Sequence, residues 1–256
     1  MIRRRQVRAS VLGYEASVSG AEAEGVVPKA RLAAAADALG VEVGPATTDK
    51  LFGFLELLGR WNRVFNLTSL REPEAMWVGH LLDCLAIVPA LRRHAAGHLL
   101  HVLDAGSGGG LPGVVLAIMQ PSWRVVCVDA SAKKASFLRQ VGLHVEVANL
   151  RAVHSRVEAL PDGIGPFDLV VSRAFASVRD FTQMTEHALA PGGTWVAMKA
   201  RPDAAELSEL SPDVELFHVE QVRVPGVEVD RCLVWMRRCA PDKRRYLAHG
   251  EDLLHR

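Results

Sequence analysis

The sequence predicts an α/β fold: a seven-stranded, mostly parallel sheet covered by helices, with a helical cap at its N-terminal side. Three observations predict it. From residue 99 onward, apolar runs of strand length alternate with segments of helical pattern, and repeated βα units bury a parallel sheet on both faces. A glycine-rich turn, Asp104-Ala-Gly-Ser-Gly-Gly-Gly-Leu-Pro-Gly113, joins the first of these runs to the apolar segment Val114–Met119. An acid, Asp129, closes the second run, Trp123–Val128. Strand, glycine turn, helix and an acidic second strand end together describe a Rossmann-like nucleotide fold.

Strands are predicted at 100–104, 124–128, 151–155, 168–172, 194–199, 214–222 and 231–237, and helices at 111–119, 132–142, 178–189 and 203–210. Pro112 is placed in the first turn of its helix, where a missing N–H costs nothing. No helix separates the last two strands, and Pro225-Gly226 supplies a turn, so they form an antiparallel hairpin. Ahead of the sheet, an alanine-rich helix over 29–40 is closed by Gly40 or Gly44. Thr47-Thr48-Asp49 caps a second, whose stripe is Leu51, Phe52, Leu55, Leu58, Trp61 and Phe65. A third starts at Glu72-Pro73-Glu74 and runs to Pro89. The division is therefore a disordered tail over 1–27, a helical cap over 28–95, the sheet domain over 96–240, and a C-terminal tail over 241–256.

A chain of 256 residues with 49% hydrophobic and 23% charged residues has the balance of one globular α/β unit. No apolar run approaches ~18 residues, so no membrane span is expected. Cys84, Cys127, Cys232 and Cys239 lack metal-ligand spacing and lie mostly in apolar segments, which suits reduced thiols of a cytoplasmic protein without a metal. The net charge of +1 does not advertise nucleic-acid binding, although a basic face fits inside a neutral total.

The glycine turn admits two ligands. Gly108-x-Gly110-x-x-Gly113 satisfies the dinucleotide pattern and keeps open a nicotinamide-dependent oxidoreductase. Asp104, at the strand end, opposes a pyrophosphate and suits a cationic methionine moiety. Asp104-x-Gly106-x-Gly108-x-Gly110 followed by Asp129 resembles the S-adenosylmethionine site of the class I methyltransferases. In that reading Asp129 holds the ribose, while Asp104, Gly106, Gly108 and the helix start at Leu111 frame the methionine end.

Further blocks narrow the resemblance. They are Trp61-Asn62-x-x-Phe65-Asn66-Leu67-Thr68-Ser69, His80-Leu81-Leu82-Asp83, Lys133-Lys134-x-x-Phe137-Leu138-Arg139-Gln140, Ser155-Arg156-Val157-Glu158, Ser172-Arg173-Ala174-Phe175-Ala176-Ser177 and Met198-Lys199. In this order, over roughly residues 50 to 238, the chain resembles the RsmG family, also called GidB. The resemblance implies methylation of N7 of guanine 527 in 16S ribosomal RNA, with S-adenosylmethionine as donor and the RNA or small subunit as partner. It implies cofactor contacts from Gly106, Leu111, Val157, Glu158 and Arg173; a monomer is expected. Three positions depart from the family pattern: Gly79 and Ser136, where basic residues are expected, and Ala200, where glycine is expected. A methyltransferase acting on a small molecule or a protein is the alternative within the same fold, and a non-catalytic RNA-binding module is another.

Guanine N7 offers an in-plane lone pair and no proton, so its methylation needs alignment and no general base. The site must instead grip the RNA, and Arg173, Lys199 and Arg156 are the candidates. Arg173 has a structural alternative, pairing with Asp180 or Glu158. Phe175 is read as core or as a stacking surface for an extruded base. His80 and Asp83, three apart on one helix face, are read as a hydrogen-bond network to the glycine loop. Asn66 and Thr68 are read as a turn closing over the cofactor. Lys133, Lys134 and Arg139 form either a solvated face or a phosphate-binding edge.

Overall fold

A computed structural model describes residues 29–173, 175, 177–201, 204–227 and 231–239. The expected tails, 1–27 and 241–256, lie outside the described residues.

Nearly continuous apolar runs, buried on both faces, build the sheet. Strands β1 (His101–Ala105), β2 (Arg124–Asp129), β3 (Leu150–His154), β4 (Phe167–Arg173), β5 (Leu189–Lys199), β6 (Val214–Val222) and β7 (Arg231–Arg238) lie in the order β3-β2-β1-β4-β5-β7-β6. The first five pair in parallel; β7 runs antiparallel to both β5 and β6. Alternate residues serve opposite faces. Val102, Val125, Cys127, Leu169, Val171, Val196 and Trp235 belong to one apolar cluster. Leu103, Val126, Val128, Val170, Trp195, Val234 and Met236 belong to the other. The order reverses between β1 and β4, and in open α/β sheets that switch point opens a ligand crevice beyond the strand C-termini.

The first cluster extends from the sheet into the cap, from Leu32 through Leu58, Leu81 and Leu85 to Val115 and Leu138. The cap comprises α1 (Lys29–Leu39), α2 (Pro45–Phe65), α3 (Pro73–Met76), α4 (Asp83–Leu85) and α5 (Val88–Ala95), with a π-helical stretch Trp77–Leu82 between α3 and α4. After the sheet begins come α6 (Gly113–Met119), α7 (Ala132–His144), α8 (Val178–Thr185) and α9 (Ala204–Ser208). Gly40 ends α1 with a positive φ of 65°, one of the two closures expected.

Several boundaries differ from expectation. Helix α2 starts at Pro45 after Gly44, with no side-chain cap, so Thr47 to Asp49 lie inside it. Its buried side is Leu51, Phe54, Leu57, Leu58 and Asn62, while Phe65 is 39% exposed. The stripe is rotated because α2 packs against α6, α7 and the π stretch together. Helix α6 starts at Gly113, since Gly110 and Leu111 still turn back onto the Ser107 carbonyl. Strand β5 starts at Leu189; the register shift between Phe167 and Leu169 on its neighbour absorbs Pro191-Gly192-Gly193.

The helical stretch Pro73–Ala95 reaches 23 residues and passes a length-and-hydropathy test for a membrane span, contrary to the sequence expectation. Of its most apolar window, 78% is buried inside the fold, as for a core helix hydrophobic all round.

Candidate functional site

The glycine turn after β1 combines conformational need with close packing. Gly106 and Gly108 hold φ of 69° and 57°, a region costly for residues with a Cβ. The space around them is open: a Cβ on Gly106 would meet nothing nearer than Phe175, at 3.8 Å. Gly113 is needed for the opposite reason. A Cβ there would sit 2.7 Å from Asp104 Oδ2 and closer still to Cys127 Sγ, so only glycine lets α6 pack onto β1 and β2.

Two carboxylates hold this turn. Asp129, at the tip of β2, accepts the Gly108 N–H at 3.0 Å and the Ser131 N–H at 2.8 Å. Lys134 Nζ lies 3.5 Å from it. Asp104 is fully buried at the end of β1, where its Oδ2 accepts the Gly113 N–H at 2.8 Å. Its Oδ1 is buried with no hydrogen-bond partner among the described residues. Burial pushes the Asp104 carboxyl up to about 6, against the opposing pull of Gly113, Ser107, Arg173 and Cys127. An acid so placed is an unneutralised negative charge directly beneath the turn.

Beyond the ends of β4 and β5 lies a cavity of about 340 Å³, lined by Thr68, His80, Asp83, Arg173, Lys199 and Arg231 among others. A larger one, about 480 Å³, sits by Trp123, Arg124 and Asn149. That is the start of β2, the opposite end from the switch-point crevice, so size does not decide between them. Phe175 links the first cavity to the glycine turn: it faces Gly106, packs on Phe181 with ring centres 5.5 Å apart, and its carbonyl lies 3.5 Å from Lys199 Nζ.

Arg173, at the end of β4, is held from the cap. Its Nη1 donates to the Gly79 carbonyl at 2.9 Å and to Asp83 Oδ2 at 3.3 Å, and its Nη2 lies 3.1 Å from His80 Nδ1. The structural alternative of pairing with Asp180 or Glu158 is not seen; the carboxylate that meets Arg173 is Asp83. A strand end and a helix ninety residues away in sequence meet only through the fold. His80 and Asp83 do face the same way, as expected, but toward Arg173 and not the glycine loop. Burial, then the Arg173 charge, lowers the His80 pKa to about 3. The neutral imidazole is held at both nitrogens: Nδ1 also lies 3.0 Å from the Gly79 carbonyl, and Nε2 lies 2.6 Å from Thr68 Oγ1.

The local chain supports this arrangement. Asn66 ends α2 in the left-handed conformation, with φ of 50°. Asn62 then clasps the following loop, accepting the Thr68 N–H at 2.9 Å and donating to the Leu70 carbonyl at 2.8 Å. A Cβ on Gly79 would meet only Leu70 Cδ1, at 2.7 Å, the movable end of a side chain, so nothing in the structure explains glycine where a basic residue was expected.

The remaining candidates separate. Lys199 lines the cavity, is 15% exposed at its side chain and pairs with Glu206 at 2.6 Å. Val157 is buried in a 3-10 turn after β3, with Glu158 half-exposed beside it. Arg156 is 76% exposed, pairs with Glu158 at 3.5 Å and does not line the cavity. Lys133 sits 5.8 Å over the Phe65 ring, and Arg139 donates to Ser136 Oγ. Sequence reasoning missed Arg231, whose Nε donates to Asp83 Oδ1 at 2.8 Å. Nothing local marks it; 148 residues separate the pair.

Comparison with known proteins places this architecture. Residues 47–234 match GidB, rRNA small subunit methyltransferase G. The chain belongs to this family. The Leptothrix cholodnii ribosomal RNA small subunit methyltransferase G is 49% identical over 206 residues, covering 80% of this chain and 94% of that one. The Acidovorax ebreus protein of the same name is 49% identical, covering 79% and 92%. Among solved structures, TrmN from Thermus thermophilus is similar at 23% identity and a TM-score of 0.47, over 61% of this chain and 49% of that one.

The chain is thus a methyltransferase of the GidB family, and S-adenosylmethionine is its methyl donor. The residues present fit that donor. The turn is open above Gly106 and Gly108, and the Asp104 charge beneath it has an oxygen without a partner, which suits a cation. Asp129 retains lone pairs beyond its two backbone contacts.

Proposed function

We propose that the protein methylates N7 of guanine 527 in the 16S ribosomal RNA of the bacterial small subunit, as a cytoplasmic monomer without a metal. One observation carries the reading beyond family membership: among the described residues, the cavity offers cations and no general base. His80 is neutral with both ring nitrogens facing protein partners, and Asp83 is held between two arginines. Such a site cannot readily deprotonate an acceptor, and guanine N7 needs no deprotonation. When bound, the donor presents a sulfonium methyl to that lone pair.

In this reading Gly106 and Gly108 let the donor approach the backbone, and Asp104 counters its positive charge. Asp129 receives the ribose hydroxyls. Val157 and Glu158 flank the adenine, and Leu111 begins the wall of the methionine end. Arg173, Lys199 and Arg156 hold RNA or donor oxyanions, Arg156 from its exposed position beside Glu158. Catalysis is then positional: fixed reactants gain the effective concentration of an intramolecular reaction, worth up to ~7–11 kcal/mol.

The test incubates the protein with methyl-labelled S-adenosylmethionine and small subunits or 16S RNA from a strain lacking the modification, then locates the label. Label on N7 of guanine 527, lost in Arg173→Ala, is the expected result. Donor binding without transfer to this RNA would refute the assignment.

A further inference from the structure

Asp83 joins two arginines from different strands. Its Oδ2 meets Arg173 at the end of β4, and its Oδ1 meets Arg231 at the start of β7. All three side chains are mostly buried, at 9%, 21% and 16% exposed, and all line the same cavity. Thr68, His80 and Gly79 hold the complex from the cap side. Lys199, itself paired with Glu206, adds a third cation to the lining, against one carboxylate among the described lining residues.

The chemistry decides what such a cavity takes. An arginine laid across O6 and N7 of guanine, its common contact, would occupy the lone pair that must attack the methyl. Cations beside a base methylated at N7 are better matched to a neighbouring oxyanion, for which the guanidinium fork is shaped. Resting on the proposed RNA substrate, we infer that Arg231 binds a phosphodiester of the RNA strand next to the acceptor guanine, and that Asp83 is the positioning residue holding Arg231 and Arg173 in register. One carboxylate thereby fixes the spacing between the RNA grip and the residue facing the donor.

The experiment measures RNA binding by the protein saturated with S-adenosylhomocysteine, across a salt series, alongside transfer kinetics. Binding does not depend on where the methyl lands, so failure of the guanine assignment and failure of this inference are read separately. Arg231→Gln is expected to weaken RNA binding roughly tenfold or more. It should also flatten the salt dependence by about 0.7–0.9 in the log–log slope, with S-adenosylhomocysteine affinity retained. Arg231→Lys should recover part of the loss, since it restores charge without the fork. Asp83→Asn should raise the KM for RNA and weaken S-adenosylhomocysteine together, because both arginines lose their anchor. Unchanged RNA affinity and salt slope in a folded Arg231→Gln protein would overturn the inference. So would a loss confined to S-adenosylhomocysteine, which makes the oxyanion the donor's carboxylate. A loss confined to RNAs carrying the target guanine, making the contact one with the base, would overturn it equally.

Discussion

Replacing Asp104 with asparagine should stabilise the protein in neutral solution while weakening its hold on the donor. The carboxyl is fully buried, and burial raises its pKa from 3.8 to about 6. A carboxyl whose folded pKa exceeds its unfolded one binds protons more tightly when folded. Its ionisation therefore destabilises the fold: not at all below pH 3.8, progressively between pH 4 and 6, and fully above pH 6. A shift of about two units corresponds to about 3 kcal/mol at pH 7. Asparagine keeps an oxygen for the Gly113 N–H and removes the charge.

The stability gap between Asp104→Asn and wild type should therefore widen by about 3 kcal/mol from pH 3.5 to pH 7.5. For a chain of this size that is roughly 6–12 °C in melting temperature. Urea unfolding of both proteins at each pH isolates the effect, because all other titrating groups cancel in the difference. Calorimetric titration with S-adenosylmethionine at pH 7.5 should show the opposite sign, weaker binding by the variant, as the negative charge beneath the turn is gone. A gap independent of pH, or one that narrows as pH rises, would refute the reasoning about this site.

Three further outcomes follow from the geometry. Gly113→Ala should lose about 1–3 kcal/mol in thermal or urea unfolding, since its Cβ lies 2.7 Å from Asp104 Oδ2 and α6 must shift off β1. Asp83→Ala should cost about 3–5 kcal/mol by the same measurement, because it leaves two largely buried guanidinium groups without their carboxylate. Replacing Arg231 by methionine alongside it should return part of that loss. With its pKa lowered to about 3, His80 should show no imidazole titration between pH 5 and 8 by NMR, and a step near pH 6.5 would contradict its burial beside the Arg173 charge.

Much of the fold was legible because it rests on local patterns. The apolar runs from Val102 to Ala105 and Val125 to Val128 specify strands buried on two faces, and Pro225-Gly226 marks the final hairpin. Glycines at 106 and 108 mark a left-handed turn whatever surrounds them. Where packing competes with propensity, the pattern was less informative. Helix α2 buries Phe54 and Asn62 and exposes Phe65, because α1, α6, α7 and the π stretch, not one neighbour, surround it. Strand β5 begins five residues early, because pairing with Phe167 outweighs Pro191-Gly192-Gly193.

The same division runs through the site. The proposed donor side was readable from sequence alone, since strand, turn, helix and the acid at Asp129 are consecutive and each position follows from its neighbours. Sequence also supplied Arg173 and Lys199 as strand-end cations, but not what they touch. Only the tertiary structure brought Asp83 of the cap, Arg173 of β4 and Arg231 of β7 to one point, and left Arg156 exposed beside Glu158. A charge cluster assembled across 148 residues has no local periodicity to betray it. Its members are fixed by where the sheet order reverses and by which face of the cap covers that reversal.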